Sequence, residues 1–373
     1  MEQINLTPEE IRKYRLKKKK RKRGLLIALI VVLSVVVLLV VAVVAVFFRF
    51  YNRSNYIADS DLEGAVEEFI NEVLPKWGGS DGNGEEIATV DEELEKSLIE
   101  ENELTVDELD PGALDQIYNL LLVGVDRRDR SWNGNSDAMV LITINKKTHK
   151  IYMTSFLRDL YSNIEGVGIR KLNHAYAIGA GPLLVNTLQT NYGVAIDNYA
   201  SVDFTDMQQI IDILGGVELT VTDEEVVYIN GYLREINELS GNPQGSGNLP
   251  GGGTYLLNGR QALAYSRIRY IGTDFQRTQR QRNVLNAIIG KARALSTGEL
   301  LQLSDQILPL VTHNLTPGDT VDLLTDLPSI INYEVVEQRI PYDGEYYSQN
   351  EILIPNDINA TVMRLRSVIY AEQ

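Results

Sequence analysis

The hydrophobic pattern changes period several times along the chain, and each change marks an element. Gly24 to Phe48 is an uncharged run of 25 residues without a polar face. As a helix rising about 1.5 Å per residue it spans the ~30 Å hydrocarbon core of a bilayer. A cleaved leader would carry an apolar stretch of only about 7 to 15 residues, and a soluble helix would show a polar stripe, so the reading is a membrane anchor. Ile117 to Val125 and Ala138 to Ile144 predict buried strands, and His149 to Ser155 alternates like a third. Pro182 to Asn191 and Phe204 to Leu214 predict helices, the second stopped by Gly215-Gly216 ahead of a strand at Val217 to Val221. Gly241 to Gly253 is rich in Gly and Pro and predicts a mobile surface excursion. Beyond it the pattern predicts helices at Asn258 to Ser266, Asp274 to Leu295, Leu300 to Leu310, Asp319 to Ile331 and Asp357 to Tyr370, with a strand at Glu334 to Ile340.

This pattern divides the chain into a basic tail (1–23), a transmembrane helix (24–48), an acidic spacer (49–115) and one α/β or α+β domain (116–373). Ten Lys or Arg against three Glu stand immediately before the anchor. By the positive-inside rule the N-terminus is cytoplasmic and everything after the anchor extracytoplasmic. The absence of cysteine removes disulfides, zinc thiolates and thiol nucleophiles.

Outside the tail, 25 bases face 48 acids, a balance that repels nucleic acid. Twelve of those bases nevertheless fall within residues 126–130, 158–171 and 260–282. Arginine dominates them, and its planar fork suits phosphate. The alternative is a set of surface ion pairs with the abundant acids. Helical spacing puts Arg277, Gln281, Val284 and Ile288 on one face, so the two apolar residues draw Arg277 inward at the first turn. A buried guanidinium needs an anionic partner, and a helix N-terminus itself favours phosphate. Arg267 and Arg269, two apart, point the same way only if that piece is extended.

Asp126 ends one predicted strand and Asp137 begins the next. A hairpin would bring their carboxylates together, which then need a proton or a cation such as Mg²⁺ between them. The alternative is that each Asp caps a loop. No Ser-His-Asp pattern, P-loop or HExxH is present.

Taken in order, Leu-Leu-Val-Gly-Val-Asp-Arg-Arg (121–128), Ser-Asp-Ala-Met-Val-Leu (136–141), Ser-Phe-Leu-Arg-Asp (155–159), Lys-Leu-Asn-His-Ala-Tyr (171–176), Leu-Gly-Gly-Val (214–217), Leu-Asn-Gly-Arg-Gln-Ala-Leu-Ala-Tyr-Ser-Arg-Ile-Arg (257–269) and Asp-Phe-Gln-Arg-Thr-Gln-Arg-Gln-Arg (274–282) resemble the LytR-CpsA-Psr family. The resemblance covers about residues 117 to 295 and keeps the motif order. It implies an α/β/α sandwich on a largely antiparallel sheet, with an apolar tunnel for a lipid. It implies a phosphotransferase on the outer face of a Gram-positive membrane that moves a glycopolymer, such as teichoic acid or capsule, from a polyprenyl pyrophosphate carrier to peptidoglycan. Carried over by position, Asp126 and Asp137 would hold Mg²⁺, and Arg128, Arg158, Arg267, Arg269, Arg277 and Gln281 would contact the pyrophosphate.

The chain departs from the family at two positions. Asn135 stands where an Arg is common, which removes one anion contact unless Arg128 or Arg130 supplies it. Leu157 replaces a common Pro and alters the local turn. For the proton lost by the attacking hydroxyl, Asp274 and Asp159 are both candidates, each equally able to pair with an arginine. A pyrophosphate hydrolase and a membrane-tethered lipid-phosphate binder without turnover are the competing functions.

Overall fold

The computed structural model describes residues 51–52, 54–58, 96, 98, 114–127, 132–272 and 274–370. The chain divides into two units, residues 1–53 and 54–373. The expected basic tail, the transmembrane helix and most of the spacer lie outside the described residues. Among the described residues no helix is long and apolar enough to cross a membrane.

Thirteen described strands, β1 (Asn55–Tyr56), β2 (Ile117–Asp126), β3 (Asn135–Asn145), β4 (Lys150–Phe156), β5 (Tyr161–Ile164), β6 (Gly168–Lys171), β7 (Asn198–Asp203), β8 (Val217–Val221), β9 (Gly253–Leu257), β10 (Thr312–His313), β11 (Glu334–Ile340), β12 (Tyr346–Gln349) and β13 (Ile352–Pro355), build one large sheet and three two-stranded sheets. The helices are α1 (Asn173–Tyr192), α2 (Phe204–Ile213), α3 (Asp223–Leu239), α4 (Gly259–Ser266), α5 (Asp274–Ala294), α6 (Thr297–Ile307), α7 (Pro317–Ile330) and α8 (Ile358–Ile369).

The main sheet has the order β1-β10-β7-β2-β3-β4-β11. Its six joins are three antiparallel and three parallel, so it is evenly mixed rather than largely antiparallel. The reason lies in the connections: β2, β3 and β4 follow one another through short hairpins, whereas β7 and β11 return alongside β2 and β4 only after long crossovers. Four strands, β2, β4, β7 and β11, therefore run in one direction and finish at the same end of the sheet.

Alternation along the strands sorts the side chains into two layers. Leu121, Val123, Met139, Leu141 and Phe156 join one core with α1 and with Ile358, Val362, Leu365 and Ile369 of α8. Spacing of three and four puts those α8 residues on one stripe. On the other face Arg282 of α5 reaches Ser155 of β4 at 2.8 Å. Beside α5 lies a second apolar cluster in which β8, α3 and α4 pack together through Val217, Ile229, Leu233 and Ala262.

The folded unit reaches back into the stretch expected to be a spacer. Asn55 and Tyr56 pair with β10 at the sheet edge, and Leu98 is buried in the first core. Helix α1 begins at Asn173, nine residues before the expected start at Pro182. Pro182 resembles a first-turn proline because the backbone does break just before it, at Gly179 and Ala180. Helix α3 and strand β7 were not expected. The Gly241–Gly253 loop is laced down rather than mobile: Asn230 holds Leu249 at 2.9 Å in both directions, Asn237 donates to the Ser246 carbonyl, and Gln261 to that of Gly247.

Candidate active site

The common end of β2, β4 and β7 gathers the functional side chains, as the carboxyl ends of parallel strands do in other sheets. A β-bulge makes the first arrangement. Gly124 pairs with Ala138 and Val125 with Ser136, so Asp137 is one extra residue on β3. Strict alternation would put Asp137 on the face of Met139 and Leu141. Instead Ser136 takes the α1 side, donating to Met139 Sδ, and Asp137 turns to the arginines. The Asp137 carbonyl accepts from Gln281 Nε2 at 3.3 Å.

Arg158, two residues beyond β4, donates to Asp137 Oδ1 at 3.0 Å, and Arg269 donates to Oδ2 at 3.0 Å. Burial pushes the Asp137 carboxyl up, but Arg158, Arg277 and Arg269 together hold it below the ordinary carboxylate value. It is an anion at any working pH. Arg277, only 1% exposed, sits in the first turn of α5, where Val284 on the same face is buried as expected.

Asp137, Asp126, Arg267, Arg269, Arg277 and Gln281 all line one cavity of about 240 Å³. Ile268 between the two arginines is fully buried, so the segment after α4 alternates and aims both guanidinium groups into the cavity. Arg267 lies 5.3 Å from the Tyr232 ring centroid and 5.9 Å from that of Phe204. Both rings are within reach of a cation–π contact with its guanidinium. Burial raises the Tyr232 phenol above its ordinary value, with Arg267 opposing, so it stays protonated.

Seven of the expected residues are thus brought together: Asp126, Asp137, Arg158, Arg267, Arg269, Arg277 and Gln281. Asp159 is placed outside the cavity lining, between Arg158 Nε and Lys171 Nζ at 3.5 Å each. Arg128 and the side chain of Asp274 lie outside the described residues. Phe204, Tyr232, Glu235, Ser266 and Tyr270 also line the cavity and were not singled out. The signal for two of them was the capping box Thr222 to Glu225, which starts α3 and sets its faces. A second cavity of about 130 Å³ lies beside Arg127, Tyr176 and Ser201.

Two carboxylates in one arginine-lined cavity suit a Mg²⁺ ion shared with phosphate oxygens, since Mg²⁺ takes one or two carboxylates and completes its shell with substrate and water. Among the described residues no group of three or more acidic or histidine side chains forms a protein-only cage.

The chain resembles proteins whose roles are known. It is 29% identical over 283 residues to the polyisoprenyl-teichoic acid–peptidoglycan teichoic acid transferase TagU of Bacillus subtilis, covering 73% of this chain and 83% of TagU. To the transferase TagT of the same organism it is 33% identical over 254 residues, 65% of this chain and 74% of TagT. The structure of the LytR-CPS2A-psr family protein YwtF (TagT) with bound octaprenyl pyrophosphate lipid superposes with a TM-score of 0.51 at 28% identity, covering 72% of this chain and 96% of that one. The LytR_cpsA_psr family model matches residues 85–365, three quarters of the sequence, and the chain belongs to that family.

Proposed function

We propose that the protein is a phosphotransferase that moves a glycopolymer from a polyprenyl pyrophosphate carrier to peptidoglycan. The observation that carries this reading is the Asp137 carboxylate held at 3.0 Å by both Arg158 and Arg269 in a cavity shared with Asp126, Arg267 and Arg277. Relatives named as transferases with that donor and acceptor, and a relative's structure with octaprenyl pyrophosphate, support the choice of substrate. The basic tail and apolar run 24–48 support a single membrane anchor with the N-terminus in the cytoplasm and the catalytic domain outside the cell.

Transfer of this kind needs positioning and charge neutralisation more than covalent chemistry. A sugar hydroxyl of the wall attacks the phosphorus that bears the saccharide, the bond from that phosphorus to polyprenyl phosphate breaks, and the hydroxyl proton ends on the departing polyprenyl phosphate. Arg267, beside two rings, and Arg269 face the pyrophosphate oxygens. Arg158 and Arg277 hold the positive charge around Asp137 before the substrate arrives, so little reorganisation remains for the reaction itself. Asp126 and Asp137 would hold Mg²⁺, which when bound neutralises charge on the pyrophosphate.

The test is incubation of the full chain with a polyprenyl pyrophosphate-linked saccharide, Mg²⁺ and peptidoglycan fragments, beside Asp126→Ala. A saccharide–phosphate–peptidoglycan adduct lost in the variant and on chelation is expected. Saccharide phosphate without adduct would make the protein a hydrolase, and lipid binding without turnover would make it a binder.

A further inference from the structure

One wall of the cavity is aromatic and acidic rather than basic. Helix α3 supplies Tyr232 and Glu235, and the loop after α4 supplies Tyr270. Tyr228, Tyr232 and Glu235 recur at i, i+4 and i+7, so one helical face carries all three. The Tyr270 ring stacks on that of Tyr228, with centroids 6.0 Å apart and planes 22° from parallel. Tyr270 is nevertheless 76% exposed and belongs to neither apolar core. One face of the ring is backed, then, and the other is open at the mouth of the site. A tyrosine outside both apolar cores and backed by a second ring is suited to receive a flat, partly apolar ligand.

We propose that Tyr270, backed by Tyr228, and Glu235 form a subsite for a pyranose ring of the acceptor glycan. The axial C–H face of a sugar packs on an aromatic ring while its hydroxyls donate to a neighbouring carboxylate. Charge selects the acceptor over the donor. Helix α3 carries five acids against Arg234 alone, and among the described residues only Glu225 has an ion-pair partner, Arg280 at 2.8 Å. That surface repels an anionic glycopolymer and tolerates the uncharged sugars of a peptidoglycan backbone. The inference rests on the transferase reading given above and names where its second substrate sits.

The test uses the full chain and two readouts. Tyr270→Ala is expected to raise KM for peptidoglycan fragments about tenfold, and Tyr270→Phe to restore it, because the ring face and not the hydroxyl makes the contact. Glu235→Gln should raise the same constant by a smaller factor. Kd for the polyprenyl pyrophosphate-linked saccharide in each variant is the internal reference. An unchanged acceptor KM in Tyr270→Ala, or a rise confined to the donor Kd, overturns the subsite. Saturation-transfer NMR with peptidoglycan fragments alone separates this inference from the reaction it rests on. Sugar-proton signals that vanish in Tyr270→Ala support the subsite even if no adduct forms. Identical signals alongside normal adduct formation would leave the transferase standing and remove the subsite.

Discussion

Two groups of arginines lie within one stretch of chain, residues 260 to 282, and by sequence they look alike. Further along α5, Arg280 is 7% exposed in its side chain and meets Glu225 at 2.8 Å, while Arg282 meets Glu337 at 2.9 Å. Glu337 also accepts from Gln279 and Asn286, and these bonds hold its carboxyl below the ordinary value against the opposing pull of burial. At the cavity, by contrast, Arg269 and Arg277, joined by Arg158 from beyond β4, crowd around the carboxylate of Asp137, and Arg267 is placed beside two rings. The difference is one of stoichiometry. Where each buried cation has its own acid, the arginine clasps one element to another; where cations outnumber acids, the excess field is available to a phosphate.

The contrast can be broken first at Arg158. Arg158→Ala should lower adduct formation by on the order of 10²- to 10³-fold, the usual cost of one preorganised donor, with the thermal midpoint close to wild type. Arg280→Ala should do the opposite. Losing the charge-assisted bond to the partly buried Glu225 costs about 1–3 kcal/mol in a denaturant titration, while turnover per folded molecule is retained. Equal losses of turnover in both variants would show that the two groups are not distinct.

Acid titration probes the crowded carboxylate itself. A carboxyl whose folded pKa lies below its unfolded one contributes fully above the unfolded value and loses that contribution as pH falls. For Asp137 the loss should begin near 3.8 and continue below it. Asp137→Asn should be about 1–3 kcal/mol less stable at neutral pH and show a shallower decline in that acid range. The smallest effect belongs to the rings: Phe204→Leu should weaken donor binding roughly twofold to fivefold by loosening Arg267, read as Kd for the lipid-linked saccharide.

Much of the scaffold was legible because burial and chain period coincide there. β8 and β11 fall on the expected residues, α5 ends one residue early, and β2 runs one residue long. What escaped was structure whose stabilising partners are distant in sequence. Helix α3 carries so many charged and polar residues that its apolar stripe of Val226, Ile229, Leu233 and Ile236 is visible only once β8 and α4 cover it. With α3 unread, Tyr232 and Glu235 had no place in the site. Motif order picked out Asp126, Arg267, Arg269 and Arg277, yet it put Arg280 and Arg282 in the same basic cluster, because the acids that claim those two lie 55 residues away on either side.

The bulge on β3 ties the chemistry to counting. Parity along a strand decides which layer a side chain enters, and one supernumerary residue resets it for everything on one side. Deleting a single residue between Gly134 and Ala138 would leave hydrophobicity and net composition nearly unchanged while handing Asp137 to the lipophilic layer beneath α1. Length changes in the preceding loop, which lies outside the paired register, carry no such penalty. Insertions and deletions across relatives should accordingly be free on one side of Asn135 and forbidden on the other, a boundary one peptide unit wide.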